Sequence, residues 1–365
     1  MAQGCVAIKH YGACNANSFT NAELMGEGWS LGVSYLYFKS DRHFRGDHEE
    51  PDRQLNNTEV INHAHTSNLD VFYNANARLG FGLSLPMVFY TRSSLYEHGL
   101  VDGEYIKRER QQTGAQGLGD IRLRVNYWLS NPALATSNLN LGFGIKLPTG
   151  DYRAADVFYN VGADGGWEVR PVDQSIQPGD GGIGFTLEMQ GYSQLAANTW
   201  LFADGFYLIN PRNTNGTRTF RETLVPVLLD NEAIMSVPDQ YYARLGVSQN
   251  GLFGTRLNAL LAGRIEGIPV RDALGKSLGF RRPGYVLSVE PGLNLMAGRH
   301  NISFSVPIAL RRNRLQSLTD KETEELTGNP RHGDAAFADY SINFTYQIRI
   351  GKTGNNKMDI FNEDH

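Results

Sequence analysis

Residues Asp120–Leu129 alternate without a break: Ile121, Leu123, Val125, Tyr127 and Leu129 share one parity, and Asp120, Arg122, Arg124 and Asn126 the other, with Trp128 at the end. Only an extended strand sends successive side chains to opposite faces. A soluble β-sandwich buries the apolar face of such a strand in protein. It does not place charges opposite that face in strand after strand.

Here the pattern recurs twelve times. The segments are about Trp29–Lys39, one ending near Ala77, Phe81–Ser93, Asp120–Leu129, Leu139–Leu147, Gly184–Tyr192, Trp200–Ile209, Tyr241–Ser248, Leu257–Glu266, Tyr285–Leu295, Ile302–Arg311 and Phe337–Arg349. The parity of the seventh is ambiguous; with Asp204 inward, Leu201, Ala203, Tyr207 and Ile209 face outward. The connections alternate short and long. Short ones lie near 78–80, 130–138, 195–199, 250–255 and 297–301, and long ones near 40–58, 94–119, 149–182, 210–240, 267–284 and 313–336. Short periplasmic turns and long outer loops are the habit of outer-membrane barrels. The expected fold is therefore all-β: a transmembrane antiparallel β-barrel of about twelve strands in the bacterial outer membrane.

Composition alone would suggest otherwise. The 365 residues are 41% hydrophobic, with a mean hydropathy of −0.36 and a net charge of −4. No run of about 18 apolar residues exists, so no transmembrane helix is available. A barrel needs none, because it satisfies its backbone between strands and shows lipid only one face of each strand. The 40 glycines, 17 tyrosines and 18 phenylalanines supply turns and interfacial girdles. The near-neutral charge argues against a nucleic-acid partner; the expected partners are the lipid bilayer and a small-molecule solute.

Residues 29–350 form one domain, flanked by an N-terminal extension (1–28) and a polar tail (351–365). Residues 1–3 carry neither a charged n-region nor an apolar h-region, so the chain is read as an exported protein in mature form. Two cysteines close together in an exported chain, Cys5 and Cys14, suggest one disulfide closing a short loop.

Three stretches, Gly117-Leu118-Gly119-Asp120, Lys146-Leu147-Pro148-Thr149-Gly150-Asp151 and Gln177-Pro178-Gly179-Asp180-Gly181-Gly182, together resemble the outer-membrane transporters grouped as the phenol-degradation meta-pathway family. They cover the middle third of the chain. The resemblance implies a channel-like barrel for small molecules, hydrophobic or aromatic compounds among them. In physical terms, glycine permits tight backbone at a barrel rim, and proline suits strand ends where a ladder donor is dispensable. Rim architecture is favoured over ligand binding for all three.

The inward parity collects Arg122, Arg124, Lys146, Glu188, Arg244, Arg264, Glu290, Arg311 and Arg349. These charges either line a narrow pore and set its ion preference or pair across a dry lumen and brace it. His63 and His65 share a strand face, but with outward parity near the outer end, and read as surface histidines above the bilayer, not metal ligands. An outer-wall hydrolase would need a strand-borne Ser–His pair; His98 falls in a loop and His300 in a turn. No catalytic or cofactor motif is found. Gly142-Phe143-Gly144 lies inside an alternating strand with no helix after it, so it is no dinucleotide fingerprint. A passive channel is the leading expectation, a closed barrel serving as anchor or interaction platform the second, and an enzyme the third.

Overall fold

The computed structural model describes residues 27–99, 110–161, 165–219 and 230–350. Within them, twelve strands close into one antiparallel barrel. They are β1 (Gly28–Arg45), β2 (Ile61–Asn74), β3 (Leu79–Ser94), β4 (Gln111–Leu118, resuming as Arg122–Trp128), β5 (Ser137–Lys146) and β6 (Gly184–Ala196), then β7 (Thr199–Ile209), β8 (Gln240–Gln249), β9 (Leu257–Ile268), β10 (Gly284–Ala297), β11 (His300–Ser305, resuming as Ile308–Arg314) and β12 (Ala335–Ile350). Each strand pairs with the next. β12 returns to β1, from Trp29 opposite Ile350 to Phe44 opposite Ala335. Closure gives the backbone N–H and C=O groups of the wall partners without water, which a hydrocarbon surround demands.

Side chains are distributed inside out relative to a soluble protein. Val33, Leu69, Phe81, Phe89, Leu123, Leu141, Phe143, Leu187, Leu245, Leu261, Leu293 and Phe304 are exposed on the outer wall. Ser34, Asn68, Asp70, Ser84, Thr186, Asp204, Ser248, Asn258, Glu290 and Asn294 are buried within. Such an apolar outer band belongs in lipid. Aromatic groups edge it at both ends. Trp29 packs on Tyr73 with centroids 4.8 Å apart at the short-turn end. Toward the long loops, the Tyr35 and Tyr37 hydroxyls lie 2.7 and 3.1 Å from Nδ1 of His65 and His63. The two histidines thus belong to the outer girdle. Among the described residues no helix is long and apolar enough to cross a membrane; the strands do so.

The expected strand order and the alternation of short and long connections hold. β4 begins earlier than its sequence suggests, because Gln111–Leu118 pairs with Met87–Ser94. That stretch, QQTGAQGL, carries no apolar alternation, and only its neighbour makes it a strand. The ambiguous seventh strand is settled by register: Asp204 lies opposite Arg244, with Phe202, Phe206 and Leu208 buried on the same inner face.

If this outer wall meets lipid, Phe304→Arg, at a position that is 44% exposed, is expected to cost about 2–4 kcal/mol near the bilayer midplane. Phe253→Arg, in the turn between β8 and β9, should leave stability unchanged. Urea unfolding in lipid vesicles followed by tryptophan fluorescence checks the pair; equal stability of both variants would contradict a lipid-facing wall.

Candidate functional site

Strand-borne charge converges in the lumen. Arg244 on β8 donates to Asp204 at 2.9 Å and to Glu290 at 2.8 Å. Glu290 also lies 3.5 Å from Arg264 and accepts from Ser305 at 2.8 Å. Arg264 reaches Glu266 at 2.7 Å. Three carboxylates and two guanidiniums therefore make one network across β7 to β10, with Asp204, Glu266 and Glu290 all buried. Buried charges survive only when paired in this way.

Aromatic rings run alongside. Phe206 stacks on Tyr242 with centroids 5.9 Å apart. Nearer the short turns, Phe202 and Tyr192 cluster with Leu260 and Ala262, flanked by Trp128 and Trp200. Four lumen guanidiniums lie over rings: Arg122 over Phe206 at 5.8 Å, Arg124 over Phe72 at 4.3 Å, Arg244 over Phe202 at 5.4 Å and Arg264 over Tyr242 at 4.9 Å. Flat cations on flat rings give the path an amphipathic lining. Room for Arg124 comes from glycine, since Gly82 and Gly144 lie directly opposite it on β3 and β5. A Cβ at Gly82 would stand 2.6 Å from Arg124 Nε.

The long connection from β5 to β6 does not stay outside. Its 3-10 turn at Gln174–Ile176 carries Ile176 into a buried cluster with Phe38, Ala64, Val88, Tyr90, Val172 and Ala338. Apart from Val172, which belongs to the connection, those partners sit on the inner faces of β1, β2, β3 and β12, so the connection narrows the outer half of the lumen. Its two roots are tied by the three glycine-rich stretches. The Asp120 carboxylate accepts from Gly150 N and Asp180 N, each at 3.0 Å. The Lys146 ammonium binds Asp180 and lies 4.0 Å from Asp120. Thr149 Oγ1 donates to the Gly119 carbonyl at 2.8 Å. Gly150 and Gly179 touch backbone to backbone; a Cβ on Gly179 would lie 2.4 Å from the Gly150 carbonyl oxygen. The stretches thus form one knot beside the interruption of β4. Sequence alone placed them at the rim but could not show that they meet.

The residues expected to line the lumen divide as follows. Arg124 and Glu188 meet at 3.7 Å, and Arg122 lies opposite Lys146 in the ladder. Arg122 has no carboxylate at ion-pair distance among the described residues. Arg244, Arg264 and Glu290 form the network above, and Lys146 belongs to the knot. Arg349 is buried and donates to the Glu27 carbonyl. Arg311 is a correction. Pairing passes from Leu287–Arg311 to Ser288–Ala309, so Leu310 is an extra residue in β11. The bulge turns Arg311 to the outer face, where it is 52% exposed and pairs with Asp47 at 2.9 Å; Arg312 and Arg314 turn inward in its place. A one-residue slip inverts parity. Cys5 and Cys14 lie outside the described residues.

The class that fold and lumen define is a membrane-spanning β-barrel with a constricted, amphipathic interior. No family model matches the chain, and no curated protein matches it in sequence. Among solved structures, it is similar to an outer membrane channel from Pseudomonas putida F1, with 13% identity, a TM-score of 0.57, and coverage of 93% of this chain and all (100%) of that one. At that identity the likeness is one of fold. The P. putida toluene transporter TodX (10% identity, TM-score 0.43, 95% and 96% covered) and the β-domain of the Bordetella autotransporter BrkA (11%, 0.43, 89% and 100%) are more distant. The fold agrees with what the sequence resemblance implied.

Removing the cation of the knot isolates its contribution. Lys146→Met leaves the buried Asp120 and Asp180 carboxylates facing each other without their ammonium and is expected to destabilise the barrel by about 3–5 kcal/mol. Lys146→Met combined with Asp180→Asn should recover part of that. The temperature at which heat-modified mobility appears in electrophoresis reads both, and a Lys146→Met barrel as stable as the parent would contradict the assignment.

Proposed function

We propose that the protein is a passive channel of the bacterial outer membrane for small organic molecules, aromatic compounds among them. One observation carries this: an inner track of two ring clusters, Phe206 with Tyr242 and Phe202 with Tyr192, Trp128 and Trp200, with guanidiniums laid over rings of both. A barrel serving only as a platform has no use for such a lining, since apolar packing in place of the buried charges would brace the wall as well. Flat solutes can exchange ring contacts along the track, while paired charges keep any one contact from holding too tightly. The toluene transport named for TodX, and the channel named for the P. putida F1 structure, belong to those proteins.

Within this proposal the expected lumen charges have different tasks. Arg244, Arg264 and Glu290 brace the wall through their mutual pairs. Arg122 and Arg124 face the path, and Glu188 is their counter-charge. A Cys5–Cys14 disulfide in the N-terminal extension is part of the same proposal, supported by their spacing and the export a barrel requires. Thiol labelling of the unreduced protein should modify neither cysteine; labelling of both would contradict the bond.

Single-channel recording in planar bilayers tests the channel itself. The expected result is a small conductance with an anion preference that falls when Arg122 and Arg124 are both changed to Gln, with folding retained. A wild-type barrel that never conducts, and that the double substitution unfolds, would overturn the channel and favour the anchor.

A further inference from the structure

A cavity of about 170 Å³ lies at the outer mouth, between the ends of β1, β3 and β12 and the loops that precede β2, β10 and β12. Its described lining holds five arginines, Arg92, Arg281, Arg282, Arg314 and Arg331, but only three carboxylates, Glu232, Asp320 and Asp334. Those three are already engaged: Glu232 by Arg331 at 3.1 Å, Asp320 by Arg314 at 3.3 Å, and Asp334 by His43 and Arg53, both at 2.8 Å. The carboxylates that balance the remaining arginines do not line the cavity. Glu97 grips Arg92 at 2.5 Å, Asp272 grips Arg281 through two bonds of 2.7 Å, and Asp173 grips Arg282 at 2.7 and 2.9 Å. The guanidiniums of Arg92, Arg281 and Arg282 therefore front the space, each held by a carboxylate outside the lining. Nε of Arg281 is buried without a hydrogen-bond partner among the described residues. Val60, Tyr96, Phe280 and Ala336 add apolar wall, and Arg282 lies 4.6 Å over the Phe280 ring.

Asp173 connects this cavity to the narrowed lumen. Its carboxylate caps the inserted turn by accepting from Ser175 N at 2.8 Å, while Arg282 holds it from the outside and Arg92 lies 3.6 Å away. Burial opposes its ionisation, but the guanidiniums of Arg282 and Arg92 outweigh burial and hold the carboxyl well below the usual range. The clamp is thus a carboxylate–guanidinium pair whose cation belongs to the cavity wall.

We infer that the cavity is a binding site for a small monocarboxylate with an aromatic or short aliphatic body, and that this carboxylate competes with Asp173 for Arg282, loosening the turn that narrows the lumen. A ring lies against Phe280 and Tyr96; the carboxylate takes the fork of Arg282, a geometry guanidinium suits better than any other side chain. The volume is of the order that holds a benzene-sized guest. The inference deepens the channel proposal by giving it a solute class and a point of first capture.

Isothermal titration of the full chain in detergent with benzoate, and with benzyl alcohol as the uncharged analogue, tests it. Benzoate is expected to bind about tenfold or more tightly than benzyl alcohol, as a charge-assisted pair requires. Two variants should move that affinity in opposite directions: Arg282→Gln weakens benzoate by about tenfold, and Asp173→Asn, which removes the competing carboxylate, strengthens it by about threefold or more. Misfolding cannot produce opposite shifts. Equal binding of the two probes, no binding of benzoate, or shifts of the same sign would overturn the site. Titration needs no conductance. A barrel that binds as expected but passes nothing through a bilayer would contradict the channel and leave the site standing. One that conducts but does not distinguish the probes would do the reverse.

Discussion

The ladder between β1 and β12 is the interaction on which everything else depends. It runs from Trp29–Ile350 to Phe44–Ala335 and removes the last free strand edge from a wall that faces hydrocarbon. Once the wall is closed, the other faces of the strands must enclose a space. Eight strands would let side chains fill it and sixteen would leave it open to water. Twelve leave a lumen too wide for side chains alone and narrow enough for one inserted segment. The charged networks on β7 to β10 and the turn at Gln174–Ile176 are the two ways this chain occupies it.

The turn stays inside because its roots are fixed. Asp120 sits in the interruption of β4 and accepts backbone N–H bonds from both limbs of the β5–β6 connection. Lys146, the last residue of β5, bridges it to Asp180. Glycine at 150 and 179 lets the two limbs touch. Apolar burial of Ile176 and Val172 then holds the far end. A polar knot at the root and an apolar contact at the tip convert a long loop into part of the barrel interior.

Much of this was legible in the sequence, for one reason. Strands such as Asp120–Leu129 carry their environment in their alternation, since lipid and lumen demand opposite chemistries of neighbouring residues. Legibility failed where a partner, not the pattern, decides structure. Gln111–Leu118 is a strand only because β3 extends beside it. Arg311 faces outward because Leu310 is an extra residue in the ladder, and no local composition marks that bulge. The β5–β6 connection looked like an outer loop because its inward course rests on contacts with β1, β2, β3 and β12, far away in sequence. The same limit applied to the outer cavity: its five arginines are scattered from Arg92 to Arg331, and only the fold brings them together.

The central claim is that the β5–β6 connection lies inside the barrel. Thiol accessibility on intact cells tests it most directly, with Cys5 and Cys14 replaced by Ser. Ile176 is buried in the inner cluster, whereas Leu55 is 80% exposed in the first outer loop. A membrane-impermeant maleimide added outside should modify Leu55→Cys rapidly and leave Ile176→Cys unmodified until the protein is denatured. Equal labelling of the two positions on folded barrels would place the connection outside and contradict the account.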